Sequence, residues 1–434
     1  MLEIGWLRVV ADLHMHSRYS RATSERMCVK EINRFARIKG LSIVGTGDFT
    51  HPEWLKELSE MLVSEPDTGL YKVALGDDSA VRFMVTTEVC TVFAAGSYIK
   101  KVHHVILTPS LETARQINDR LSSHGNLASD GRPTLDVNAA QLVEEVMEVS
   151  DENMVFPAHA WTPWFSIFGA FSGFDSVEEC YEDMTKHIYA LETGLSSDPP
   201  MNWRLSKLDK LTLVSNSDSH SFWPWRIGRE ANVFELERPD YHEVLSAIRS
   251  KDPERFRFTI ETDPAYGKYH WTGHRNCSVS LSPREATKFG NVCPVCRRKL
   301  TKGVEQRVEE LADRPAGFKP ENAVGYIHLL PLSEIIATAL TVDSPSARQV
   351  WDVYNSLIQK FGDEYSVLID RSKNELCSVV GEDVAEAIIR VREGKVKVVP
   401  GYDGVYGRLV FDERSADAAL AKRVQQLNLS DFSC

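Results

Sequence analysis

The chain has 434 residues, with 62 acidic and 50 basic side chains and a net charge of −12. Hydrophobic residues make up 43% and charged residues 26%; at roughly 100–200 residues per domain this reads as two to four globular domains. No stretch nears about 18 uncharged apolar residues, which excludes a transmembrane helix, and the acidic balance argues at first sight against a nucleic-acid partner.

Through the first ~260 residues, short apolar runs alternate with amphipathic stretches, the pattern of strand–helix units in a parallel sheet. The strand candidates are RVVADLHMHS, LSIVGTGD, RFMVTTEVCTVF, HHVILTP, NMVFPAHA and KLTLVSNSDSH, with helix-like segments such as VKEINRFARIKG and AAQLVEEVMEV between them. Such a series fits one barrel-like α/β domain. Residues 122–133 form a polar loop by composition. Near Asp263–Pro264 the character changes: residues 265–307 hold nine Lys/Arg against Glu285 and Glu305. Beyond Val308 the pattern is helical (LLPLSEIIATAL, ARQVWDVYNSLIQKF, DVAEAIIRVREG), ending in a Gly-rich strand-like stretch. The domains expected are therefore 1–263, 264–307 and 308–420, followed by a tail, 421–434. The N-terminus lacks an apolar run of signal-peptide length, and three of the eight cysteines cluster with histidines. Both features fit a reducing cytoplasm.

The strongest chemical signal is DLHMHS, which places His14 and His16 two apart at the end of a strand, on one face. Metal-type residues recur at later strand ends: Asp48 and His51 in GTGDFTH, Glu88 in TTEV, His103 and His104 in VHHVIL, His159 in PAHAW, Asp218 and His220 in SNSDSH. Active sites of parallel α/β barrels collect at that face.

That order of motifs resembles the PHP (polymerase and histidinol phosphatase) superfamily over about residues 8–260. The resemblance implies a distorted (β/α)7 barrel carrying a two- or three-metal phosphoesterase site. His14 and His16, with Asp218, correspond to ligands of a first metal. Glu88 corresponds to the bridging carboxylate, His104 and His159 to a second site, and Asp48 or His51 with His220 to a third. Adjacent strand residues point to opposite faces, so only one of His103 and His104 faces the site; His104 is preferred because it heads the apolar run VILT. The stretch SRYSRATS lacks the acid or histidine many PHP phosphatases carry after HxH, which leaves the third metal open. Asp218, Glu88, His14 and His16 are the catalytic candidates. Zinc, manganese and magnesium all suit these donors, and Arg18, Arg21 and Arg226 are candidate phosphate contacts.

His274, Cys277, Cys293 and Cys296 follow H-x2-C-x15-C-x2-C, the spacing of a closed structural zinc site; His270 is a rival to His274. The basic charge around it suits a phosphate backbone. Aromatic clusters follow His159 (Trp161, Trp164, Phe165, Phe168) and His220 (Trp223, Trp225). They could stack a base taken out of a helix.

The barrel, zinc island and helical tail together resemble the endonuclease Q family, DNA-repair enzymes, over nearly the whole chain; DLHMHSRYSRATS, GTGDFTHPEWL, CSVSLSPREA with CPVC, and QRVEELADRP carry the likeness. The resemblance implies nicking of double- or single-stranded DNA 5′ to deaminated bases (uracil, hypoxanthine, xanthine) or abasic sites, by base extrusion and attack of metal-activated water. The alternative is a PHP small-molecule phosphoesterase acting on histidinol phosphate or nucleotides. Finally, Gln426, Leu429 and Phe432 fit Q-x-x-L-x-x-F, which resembles a sliding-clamp-binding peptide.

Overall fold

The computed structural model describes residues 5–74 and 80–410. The tail residues Gln426, Leu429 and Phe432 lie outside the described residues. Among the described residues, no helix is long and apolar enough to cross a membrane.

The first units alternate as expected. Strand Leu7–Asp12 leads to helix Val29–Lys39, strand Ile43–Gly45 and helix Pro52–Met61. Helix Val29–Lys39 forms because Val29, Ile32, Phe35 and Ala36 recur at helical spacing and are buried. It stops at Gly40, whose φ of 96° suits only glycine without strain.

The sheet departs from the expected parallel one. Leu7–Asp12 pairs in parallel with Ile43–Gly45, which pairs in parallel with Arg82–Ala95. On its other side, however, Leu7–Asp12 meets Ala231–Leu236 antiparallel, and that strand meets Phe256–Glu261 antiparallel. Arg82–Ala95 folds back on Tyr98–Thr108, which pairs antiparallel with Met154–Pro157. The architecture is thus mixed α/β. For the Arg82–Ala95/Tyr98–Thr108 pair the reason lies at Gly96–Ser97: only two residues separate the paired Ala95 and Tyr98, and so short a link permits a hairpin but no parallel crossover.

Strands Ala190–Glu192 and Thr212–Val214 form a separate parallel pair. Side chains tie this pair to the main sheet. Leu13 N–H donates to Asn216 Oδ1 at 2.8 Å, and Ser215 N–H donates to Asn232 Oδ1 at 2.9 Å. An apolar cluster of Val9, Ala11, Ile43, Met84, Val105, Phe156, Val214 and Phe234 fills the space among the strands, together with Tyr241, Val244 and Ile248 of helix Tyr241–Ser250.

The zinc-spaced segment is an insertion. Strand Gly325–His328, expected in the helical domain, pairs with Phe256–Glu261 and so returns the chain to the main sheet. Between them, the hairpin Thr272–His274/Val279–Leu281 and helix Pro283–Lys288 share a small core of Val279, Leu281, Ala286, Cys293 and Leu300. Helices Leu332–Ala339, Arg348–Phe361 and Glu382–Arg392 follow, as the periodicity predicts.

Candidate active site

His14 and His16 are buried just past the end of the first strand. Their Nε2 atoms face Glu88 Oε2 at 3.4 and 3.1 Å and Asp218 Oδ1 at 3.7 and 3.1 Å. Carboxylates hold both rings from behind. His14 Nδ1 lies 3.0 Å from Glu192 Oε2, and His16 Nδ1 lies 2.9 Å from Asp48 Oδ1. An Nδ1–H donated backwards leaves the Nε2 lone pair facing forwards, the arrangement of metal-ligating histidines. His14 Nε2 is buried and, among the described residues, has no hydrogen-bond partner, an orphan that a cation would satisfy.

Glu88 turns its other oxygen to a second cluster. Oε1 lies 2.8 Å from His103 Nδ1 and 2.9 Å from His159 Nε2. Two donor sets, His14–His16–Glu88–Asp218 and Glu88–His103–His159, therefore meet at one carboxylate, with the atoms of each set within 4.8 Å of one another. Imidazole and carboxylate donors at this separation fit a pair of divalent cations.

The second donor set corrects the choice of His104. Cys90 pairs with His103 and Val89 with His104. Cross-strand partners share a face and side chains alternate, so His103 joins Glu88 while His104 turns away. There, His104 contacts Thr91 Oγ1 at 2.9 Å and Tyr181 OH at 2.8 Å. Asp48 is also not placed as a ligand: its second oxygen accepts from Ser17 N–H, Ser17 Oγ and Ser20 Oγ, so it orients His16 instead. His51 stacks on Tyr19 with ring centroids 4.4 Å apart. His220 packs 4.3 Å from the His16 ring. Among the described residues, none of Asp48, His51 and His220 enters a grouping able to hold a metal, which leaves the third site without a ligand set.

The electrostatics follow the geometry. Burial opposes charge on Glu88, but Arg132, His103 and His14 outweigh it and hold the carboxyl well below the usual range. Burial likewise works against charge on His14, yet Glu192 and Glu88 raise it well above the ordinary imidazole value; a cation at Nε2 would take the place of that proton. Burial pushes His103 down to about 4 and His104 to about 3. Asp48, His159 and Asp218 each sit at positive φ (48°, 31° and 47°). Such strain at three residues of one site is typical of backbone held for function.

Two site residues lie outside the motifs that mark the others. Glu192 ends the strand Ala190–Glu192 and accepts from His14 Nδ1, from the His159 backbone N–H at 2.7 Å and from Asn216 Nδ2 at 2.8 Å. It thereby ties the two halves of the site together. Arg132, in the polar loop 122–133, donates from Nη1 to Glu88 Oε2 at 3.0 Å.

The aromatic candidates divide. Trp161 and Phe168 are fully buried, 4.7 Å apart, and Trp161 Nε1–H donates to Asn202; as core residues they cannot line an open pocket. Trp223 and Trp225 stack on each other and pack, tilted, against Trp351 of helix Arg348–Phe361 at ring-centroid distances of 5.8 and 5.7 Å. Trp164 and Phe165 are exposed, and Phe165 lies 5.1 Å from the His103 ring. Among the arginines, Arg18 pairs with Glu57 and Arg21 with Asp130. Arg226 lines a cleft with Arg229, Tyr266 and Tyr406.

His274, Cys277, Cys293 and Cys296 converge with donor atoms within 4.8 Å of one another. His270 instead faces Glu305 at 3.5 Å. Four thiol and imidazole donors fill a tetrahedron, which fits a structural zinc ion.

A family model described as the MJ0043 C-terminal domain matches residues 331–395. The uncharacterized protein MJ0043 of Methanocaldococcus jannaschii is 32% identical over 266 residues, 60% of this chain; the match spans only 32% of that relative's length. The uncharacterized protein YqxK of Bacillus subtilis is 26% identical over 420 residues, covering 93% of this chain and 99% of the relative. Among solved structures, the lesion-specific endonuclease PfuEndoQ of Pyrococcus furiosus has a TM-score of 0.83 and 34% identity, covering 94% of this chain and 96% of its own. Endonuclease Q in complex with a 27-mer duplex, an abasic lesion at its active site, has the same TM-score and identity, covering 94% and 98%. A likeness of that depth over almost the full length of both chains places this protein in the endonuclease Q family.

Proposed function

We propose that the chain is a metal-dependent DNA endonuclease that nicks the phosphodiester 5′ to deaminated bases (uracil, hypoxanthine, xanthine) or abasic sites. The observation that carries this reading is Glu88, whose two oxygens face separate histidine clusters, 3.1 Å from His16 and 2.8 Å from His103. When bound, a cation pair there supplies a water of lowered pKa and neutralises charge on the scissile phosphate. The chain supplies the rest. Glu192 and Asp48 fix the His14 and His16 tautomers. Asp218, His220 and Arg132 have side chains 29%, 28% and 26% exposed, whereas Glu88 is fully buried, so these three line the mouth through which a phosphate enters. Phe165, exposed beside His103, is the one base-pocket candidate next to the metal ligands. The strand order is compatible with a distorted (β/α)7 barrel, and the His274–Cys277–Cys293–Cys296 cluster with zinc that organises the basic segment.

The test uses labelled duplexes carrying uracil, hypoxanthine, an abasic site or normal bases, with divalent metal. The native protein is expected to cut only lesion duplexes, and Asp218→Ala to cut none. Equal cutting by Asp218→Ala contradicts the catalytic assignment. Phosphate release from small monoesters without nicking supports the phosphatase reading instead. We further propose that Gln426, Leu429 and Phe432 bind a sliding clamp: Phe432→Ala should weaken clamp binding and leave basal nicking intact, and unchanged clamp affinity contradicts it.

A further inference from the structure

We propose that Arg132 is a catalytic residue that binds the scissile phosphate. The inference rests on the phosphodiesterase reading above and adds to it a residue outside the metal-ligand sets.

The loop carrying Arg132 is fixed on both sides. Before it, Gly131 N–H donates to Tyr19 O at 3.0 Å, and Thr50 Oγ1 donates to Gly131 O at 3.2 Å. Gly131 packs so tightly that a Cβ there would lie 2.2 Å from Asp48 Oδ2 and 2.3 Å from Ser20 Oγ. After it, Cys90 N–H donates to Pro133 O at 2.9 Å, and Thr134 pairs with Cys90, two residues beyond Glu88. Composition marks 122–133 as a polar loop, yet its end is built into the wall of the site, and Arg132 is the side chain that this wall presents to Glu88.

The guanidinium has five N–H donors. Among the described residues it makes one side-chain hydrogen bond, from Nη1 to Glu88 Oε2, and the side chain is 26% exposed at the site mouth. Donors therefore remain for a ligand. Glu88 Oε2 is also the oxygen that faces His14 and His16. His14, His16 and Arg132 thus share one carboxylate oxygen, and with a cation held by the histidines the guanidinium would be freer to turn to a ligand. An incoming phosphodiester offers what the guanidinium then lacks, a pair of anionic oxygens that its planar fork can hold. Held there, Arg132 stabilises the charge that builds on the non-bridging oxygens as water attacks phosphorus and the 3′-oxygen leaves.

The experiment compares native protein, Arg132→Gln and Arg132→Lys in single-turnover nicking of an abasic-site duplex at saturating protein. Bound metal is measured on the same samples. Arg132→Gln is expected to slow nicking by about 100- to 1,000-fold, the usual cost of removing one transition-state donor. Metal content should stay native, and added guanidinium ion should restore part of the rate. Native-like nicking by Arg132→Gln overturns the inference while leaving the endonuclease reading standing. A slow variant that has also lost metal overturns it as well, because Arg132 then serves Glu88 rather than the phosphate. A native protein that nicks no lesion duplex overturns the endonuclease reading and this inference with it.

Discussion

At the scale of single residues, the site depends on which way adjacent side chains point. His103 and His104 are neighbours in sequence and both buried, yet only His103 reaches Glu88. On the proposed two-cation reading, His103→Ala should therefore cost the site one ion. His104→Phe, which keeps the bulk of a ring between Thr91 and Tyr181, should keep both. Elemental analysis of the two variants checks this, and the reverse pattern would contradict the assignment. The correct parity was present in the sequence. The pair Gly96–Ser97 is a two-residue hairpin signal, and a hairpin closed there sets Cys90 opposite His103. The apolar run after His104 reports burial, not direction, and so misleads. His14 and His16 were legible because one short segment carries both. Glu192 was not, because it meets His14 across 178 residues of chain, and only the assembled fold shows that separation closing to 3.0 Å.

At the scale of elements, helix Val29–Lys39 and the segment after helix Arg348–Phe361 meet at a buried ion pair. Lys39 Nζ donates to Glu364 Oε1 at 2.7 Å and to Pro224 O at 2.9 Å. Glu364 also accepts from Tyr354 OH and Leu332 N–H. Both charged side chains are essentially closed to solvent. Glu364→Leu strands the Lys39 ammonium, which should cost about 3–5 kcal/mol. A lowered urea midpoint checks it, and an unchanged midpoint contradicts a structural role for the pair. Trp223 and Trp225 belong to the same junction through Trp351. Their position after a ligand-bearing strand end suggested a base pocket. Their partner lies on a helix more than 120 residues later, and amphipathic spacing shows that such a helix has an apolar face without showing what it covers. The convergence of His274, Cys277, Cys293 and Cys296 was easier to read, because tetrahedral metal coordination restricts ligand type and spacing within a short segment.

At the scale of the whole molecule, the net charge of −12 coexists with a basic insertion. Lys268, Arg275, Arg284, Lys288, Arg297, Arg298 and Lys299 are all exposed on it. Arg307 ties the insertion to the aromatic segment after His159, donating to Phe168 O and Phe174 O at 3.1 Å. Replacing Arg297, Arg298 and Lys299 together by Gln should lower the slope of log K against log salt by about 0.9 for each phosphate no longer neutralised. A slope equal to that of native protein would remove the insertion from the DNA path. The mixed sheet was the part of the fold least visible in advance, since strand periodicity gives faces but not partners. The most direct measurement of the central claim is end-group mapping of the product from a duplex with one abasic site. The result expected is a single metal-dependent nick on the 5′ side of the lesion, leaving a 3′-hydroxyl and a 5′-phosphate. A nick on the 3′ side, or one that persists after the divalent metal is removed, would contradict it.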